Sequence, residues 1–364
     1  MSFNKIFPCV VPAIIIRIAI VMVVSTCLGV QSLAFAASKK SSVKAADLVK
    51  DGQLINLTSE KYLELFRELR EKHNFSSEEL GIIFNKPVIS KKVLEYMDKP
   101  WEAMPYYKYS KLFITQRNIV KGRELLIQYR TLLDQVEKKF GVDREIVMAI
   151  WAIETRYGTN QGDFGVLRTL NTLFDAYPRR SSFFRNQLIH FLLLCRENNV
   201  DPHTIKGSYA GAFGQTQFIP SSFRAYAVSF DGNPIKDVWG SVPDVLASIA
   251  NYLHHHHFVL DKPVYAELGN QLLDKQLVVA FDKGRKGRVD WELVHKKQNN
   301  SIPPAYGKGQ LSIVGLELVP SAQPAMRYVA GYPNFIAITE WNHSNRYAMA
   351  VTELAESFRD DLTR

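Results

Sequence analysis

Residues 149–158 read Ala149-Ile150-Trp151-Ala152-Ile153-Glu154-Thr155-Arg156-Tyr157-Gly158, an apolar run broken once by a carboxylate before the polar end. Just upstream, Gly141 closes a stretch with helical spacing and Asp143 stands where an N-cap belongs. The run therefore predicts a helix that Asp143 caps and Gly158 stops. On that helix Glu154 lies three and four residues from Trp151 and Ile150 and seven from Val147, on the face the core should own. An ionised carboxylate there is costly unless it is paired or keeps its proton. Two readings stay open at this point. One is a buried ion pair, with Arg144 or Arg168 as partner. The other is a general acid whose apolar walls hold the proton near neutral pH.

Working outward, apolar residues recur at three and four over residues 45–75, 117–140 (read as one amphipathic helix), 181–199 and 241–257. The closing stretch 334–362 also reads as helix, and Pro87, Pro100 and Pro105 divide residues 76–110 into short helices. From about 258 to 330 the pattern changes. LLDKQLVVAFDKG (272–284), QLSIVGLELV (310–319) and AMRYVAG (325–331) are β-rich runs punctuated by Gly, Pro and Asn, and predict strands. The fold class expected is mainly α (α+β), with a small β-containing insertion. The division expected is an N-terminal helical region at 37–140, a catalytic region at 141–258, a β-containing unit at 259–330 and a helical segment at 331–364.

Residues 1–36 stand apart. Lys5 and Arg17 precede a long uncharged apolar stretch ending in Ala34-Phe35-Ala36, an A-x-A cleavage pattern, so the segment reads as an export signal. An uncleaved N-terminal anchor is the alternative; a lipid-attachment box at Val24–Cys27 is spoiled by Thr26 before the cysteine. The location expected is the periplasm or cell envelope, with membrane attachment left open. Cleavage removes two basic and no acidic residues, so the formal charge of +9 becomes +7. A basic exported chain suits an acidic wall polymer and argues against nucleic acid. Only Cys195 would remain of three cysteines, in apolar surroundings, so no internal disulfide is expected.

Hydrolysis of a glycosidic bond usually takes two carboxylates. Yet the stretch richest in glycine and polar residues, KGSYAGAFGQTQFIPSS (206–222), has no Asp or Glu. It offers Ser208, Tyr209, Gln215, Thr216 and Gln217 among small residues that let a ligand approach the backbone.

ETRYG (154–158), YPRR (177–180), KGSYAGAFGQTQFIPSS (206–222), ASIANY (247–252) and the tail WNHSNRYAMAV (341–351) resemble, in order and spacing, the B-type membrane-bound lytic murein transglycosylases. The resemblance runs from about residue 95 to the end. It implies a lysozyme-like helical catalytic domain with a deep groove, an additional α domain and a small β-containing insertion. It also implies cleavage of the β-1,4 bond between N-acetylmuramic acid and N-acetylglucosamine without water, leaving a 1,6-anhydro end. By position, Glu154 resembles the sole catalytic acid and base. Ser208, Gln217, Tyr252, Asn342 and Tyr347 match substrate-lining residues, with Tyr109 a further groove tyrosine. Arg179 and Arg180 match a pair associated with the stem peptide, where guanidinium suits carboxylate. The implied partners are peptidoglycan strands and their stem peptides, acted on by a monomer that requires no cofactor.

Two departures from the family pattern stand out. Some relatives carry a calcium loop; the corresponding SFDGNPIKDVWGSVPD (229–244) keeps Asp231, Asn233, Asp237 and Asp244 but has Ser229 first and Pro234 where a glycine turn is needed, so calcium is doubtful. Trp341 stands where a tyrosine is common. Two competing functions remain: a hydrolytic muramidase pairing Glu154 with Asp163 or Asp175, and a non-catalytic wall-binding protein.

Overall fold

The computed structural model describes residues 44–99, 104–323 and 325–359. The export segment read in residues 1–36 lies outside them. The Glu154 helix, Arg144–Thr155, is apolar on every side, and Ile146 through Ile153 are all at most 5% exposed. A helix of that kind has to sit at the centre of a bundle. It does: the C-terminal helix Asn345–Arg359, the helix Val242–His255 and the helix Gln116–Gln128 pack around it. Next to this bundle, helices Val166–Ala176 and Ser181–Glu197 form an antiparallel pair. Cys195, on the second of these, is buried and free.

Residues 263–331 form a four-stranded antiparallel sheet with its own small core around Leu277, Val294, Leu311, Ile313 and Ala330. The strand order is Tyr265–Gly269, Met326–Gly331, Gln310–Glu317, Val289–Asp290, and the first pair carries a register irregularity between Glu267 and Gly269. Buried Asn334 ties this unit back to the helices. Its side-chain oxygen accepts from the Val259 N–H at 2.8 Å, and its amide donates to the carbonyls of Val259 and Lys262. The architecture is mainly helical with a small sheet, the class predicted. Among the described residues no helix is long and apolar enough to cross a membrane.

Several local expectations need correction. The predicted helix 45–75 begins only at Glu60. Before it, Ile55 N–H and Ile89 N–H bond to Pro87 and Gln53 carbonyls, holding residues 53–55 extended against 87–89. The single helix predicted over 117–140 is two, Gln116–Gln128 and Arg130–Phe140, broken at Tyr129, whose ring turns toward Trp151. The strand predicted at 272–284 is the helix Lys275–Asp282: Asp274 accepts the Gln276 N–H as its cap, and Leu277 and Ala280 face the small core while Val278 and Val279 stay exposed. The C-terminal helix is interrupted at His343, which takes a left-handed backbone (φ 44°). Asp143 precedes the Glu154 helix but makes no capping bond; its carboxylate pairs instead with Arg359 at 3.1 Å.

Candidate active site

The helix that carries Glu154 ends within two residues of it. Arg156 and Tyr157 adopt φ of 50° and 58°, and Gly158 follows at 81°. Gly158 is required twice over. Its φ is unfavourable for a side chain, and a Cβ there would lie 2.2 Å from Gln215 Oε1. That oxygen accepts the Trp151 indole N–H at 2.9 Å while the Gln215 amide donates to the Trp239 carbonyl at 2.8 Å. Gln215 is thus framework rather than lining, and it locks the 206–222 loop onto the end of the helix. The loop makes a second close contact at Gly162, where a Cβ would meet the Gly207 carbonyl oxygen at 2.2 Å.

This framework leaves Glu154 at the meeting of two narrow recesses of about 40 Å³ each. One is lined by Arg180, Phe183, Ile219, Trp341 and Asn342, the other by Tyr96, Asp163, Phe164 and Ser208, and Gln217 borders both. Neither Arg144 nor Arg168 reaches the carboxylate. Arg144 is bound to Asp134 and Glu137, and Arg168 to the Val88 and Ile89 carbonyls and Asp51. No ion pair involves Glu154 among the described residues. Its Oε1 instead accepts from the hydroxyl of fully buried Tyr347 at 2.6 Å. Burial pushes the Glu154 carboxyl up to about 8, against the pull of Tyr347 and the Trp341 side chain toward the charged form. The group therefore carries its proton at neutral pH. Half-buried Tyr109 is held above its ordinary range by burial first and then by the Glu154 charge.

The family model described as Transglycosylase SLT domain matches residues 58–356. The chain belongs to this family. Membrane-bound lytic murein transglycosylase B of Escherichia coli is 33% identical over 296 residues, 79% of each chain. The crystal structure of the soluble lytic transglycosylase SltB1 from Pseudomonas aeruginosa superposes with a TM-score of 0.73 at 32% identity, covering 83% of this chain and 99% of that one. SltB3 from the same organism, crystallised with NAG-NAM-pentapeptide, gives 0.69 at 30% identity over 83% of this chain and 79% of its own. The activity is that of a lytic transglycosylase, a glycan lyase, on a lysozyme-like helical scaffold.

In this SLT transglycosylase the remaining predicted residues divide. Ser208 is buried beside Glu154, its oxygen accepting the N–H groups of Ala210 and Ala212, which leaves its proton free to donate into the recess. Gln217, with φ 50°, anchors its amide on the Gln161 and Gly214 carbonyls. Tyr252 stands behind the site: its hydroxyl donates to the Glu340 carbonyl at 2.8 Å and its ring backs Trp341 at 4.7 Å. The arginines point apart. Arg180 packs over Phe183 at 4.1 Å and lines the recess, whereas Arg179 pairs with Asp98 at 2.9 Å.

The 229–244 loop uses its oxygens internally. Buried Asp244 accepts N–H groups from Phe230, Asp231 and Asp237. Asp231 accepts from Asn233 and Ser241, Asn233 from Ile235, and Asp237 from Trp239 and Gly240. Among the described residues no three His, Cys, Asp or Glu side chains form a metal-holding group. Sequence reasoning missed the aromatic wall in which Tyr96 stacks on Tyr209 at 5.2 Å and meets Phe164 edge-on at 5.9 Å. Nothing in the short helix Lys91–Met97 signalled it, because that helix reaches the site only through tertiary packing.

Proposed function

We propose that this transglycosylase cleaves the β-1,4 bond between N-acetylmuramic acid and N-acetylglucosamine of peptidoglycan, with Glu154 as acid and then base. The observation that supports this best is a carboxyl held protonated by burial, without a cationic partner, in a recess rimmed by hydroxyl, amide and guanidinium groups. Glu154 gives its proton to the glycosidic oxygen as the bond to C1 breaks. The substrate's own 2-acetamido group steadies the cation at C1, with Ser208 donating to the acetamido oxygen. The Glu154 carboxylate, now charged and held by Tyr347, takes the proton of the muramyl 6-hydroxyl as that oxygen attacks C1. The proton returns to where it began, and a 1,6-anhydro end forms without water.

Arg180 fits a stem-peptide carboxylate at the edge of the recess, and Asn342 and Tyr109 flank the sugar. The leader at residues 1–36 supports action in the cell envelope. Asp163 shares a recess with Glu154, which favours one second reading, hydrolysis with Asp163 as base. Mass spectrometry of purified peptidoglycan digested by the wild type and by Glu154→Gln decides between them. Anhydromuramyl ends that vanish in the variant are expected; reducing ends would establish hydrolysis, and undiminished product from Glu154→Gln would remove Glu154 from the mechanism.

A further inference from the structure

The ETRYG turn has a second face that the chemistry at Glu154 does not use. Beside it opens a cleft of about 730 Å³ that shares no lining residue with the two recesses at Glu154. Its floor is aromatic: Trp151 lies edge-on to Tyr157 at 5.6 Å and tilted to Tyr129 at 6.3 Å. Three cations, Arg117, Lys121 and Arg156, stand over it against one acid, Glu124. Lys121 is paired with that acid at 3.1 Å. Arg117 and Arg156 are exposed, and neither makes a side-chain hydrogen bond or ion pair with any described residue.

The backbone is bent to make this arrangement. Two consecutive non-glycine residues, Arg156 and Tyr157, sit in the left-handed region, a conformation L side chains disfavour and that surrounding structure has to impose. Tyr157 is fastened there by its hydroxyl, which donates to the Asn118 carbonyl at 2.5 Å. The bend turns both side chains into the cleft instead of continuing the helix.

We infer that this cleft is a second, non-catalytic holding site for the wall polymer, in which Arg117 and Arg156 grip the carboxylates of a stem peptide while the aromatic floor receives the apolar face of its sugar. Unpaired guanidinium forks suit carboxylates, and a concave aromatic surface with a few polar groups, here Gln116 and Thr159, suits an amphipathic ligand better than a flat lipid headgroup layer. The inference rests on peptidoglycan being the substrate. An enzyme that holds the strand apart from the bond being cut stays on insoluble wall between turnovers, the gain being one of effective concentration.

The test is calorimetric titration of the full chain carrying Glu154→Gln with a soluble disaccharide bearing its stem tetrapeptide. Two sites are expected. Arg117→Gln with Arg156→Gln on the same chain removes one, by at least tenfold in affinity, and the same disaccharide stripped of peptide fills only the groove. With Glu154 in place, the double substitution leaves turnover of a soluble peptide-free tetrasaccharide of the wall glycan unchanged and slows release from intact sacculi at least tenfold. A single site in both proteins overturns the inference, as does arginine-dependent binding of phosphatidylglycerol vesicles with no second muropeptide site. Arg117→Gln alone, on an exposed first helical turn, is the control should the double variant fold poorly, and it lowers affinity for the second site on the same reasoning. Failure here is separate from failure of the proposed reaction, which is read by anhydro ends in the Glu154→Gln digest.

Discussion

Replacing Glu154 by glutamine should make the protein more stable in alkali, by an amount the site itself sets. Burial raises the carboxyl from 4.5 to about 8 in the folded chain, whereas the unfolded chain keeps the ordinary value. At 1.36 kcal/mol for each tenfold change in proton affinity, the ceiling on the resulting penalty is about 5 kcal/mol. About 1 kcal/mol of this is already present at pH 5, so about 4 kcal/mol is expected to appear between pH 5 and pH 9. Below pH 4.5 the acid is neutral in both states and contributes no penalty. Between 4.5 and 8 the unfolded chain ionises while the folded one holds its proton, so stability falls as pH rises; above 8 the loss is complete. Glutamine keeps the shape and can still accept from the Tyr347 hydroxyl, but it does not titrate. Urea unfolding of both proteins at pH 5 and pH 9 measures the effect: the gap in favour of glutamine should widen by about 4 kcal/mol. A gap that is the same at both pH values, within about 1 kcal/mol, would show that Glu154 is not held protonated by burial and would refute the reasoning.

Tyr347→Phe removes the donor that favours the charged carboxylate, so the alkaline limb of the activity profile should move up from near 8 by about one pH unit; a limb that stays put means another group sets it. Gly158→Ala puts a Cβ against Gln215 at a φ of 81° and should destabilise the fold by about 2–4 kcal/mol in thermal unfolding, with wild-type stability contradicting the packing described. Arg180→Ala should lower kcat/KM about tenfold on strands carrying stem peptides and little on peptide-free strands, the loss of one charged hydrogen bond, while Arg179→Ala leaves both rates alone; equal effects of the two would mean that the arginines are not divided in function.

The position of Glu154 was legible because burial follows the helical period, and a carboxylate on an otherwise apolar face breaks the pattern where anyone can count it. What sets its proton was not legible from periodicity. Tyr347 lies 193 residues away and meets Glu154 only because the last helix packs along the helix of the acid. The family likeness placed Tyr347 among the lining residues without giving this bond. Tyr252 came from the same likeness, and its hydroxyl is spent on a backbone carbonyl behind the site. The adjacent arginines could not be told apart in one dimension. They lie in a 3₁₀ turn, Pro178–Arg180, where neighbouring side chains splay by about a third of a turn, so one reaches the recess and the other Asp98. The strand misread at 272–284 fails for a simpler reason. A Val-Val pair suggested β structure, but only its flanking Leu277 and Ala280 are buried, at helical spacing after an Asp274 cap.

The bond between Glu154 and Tyr347 joins the middle of the chain to its final helix, which Arg359 secures through Asp143 and Glu145 at the other end of the same helix pair. Synthesis delivers these parts in order, so the acid emerges long before its clamp. A chain interrupted before residue 345 has Glu154 but lacks the hydroxyl that receives it and the helix that buries it. On the proposed mechanism, wall-cutting capacity therefore waits for residues 345–359, and a molecule that stops short of them is a harmless one.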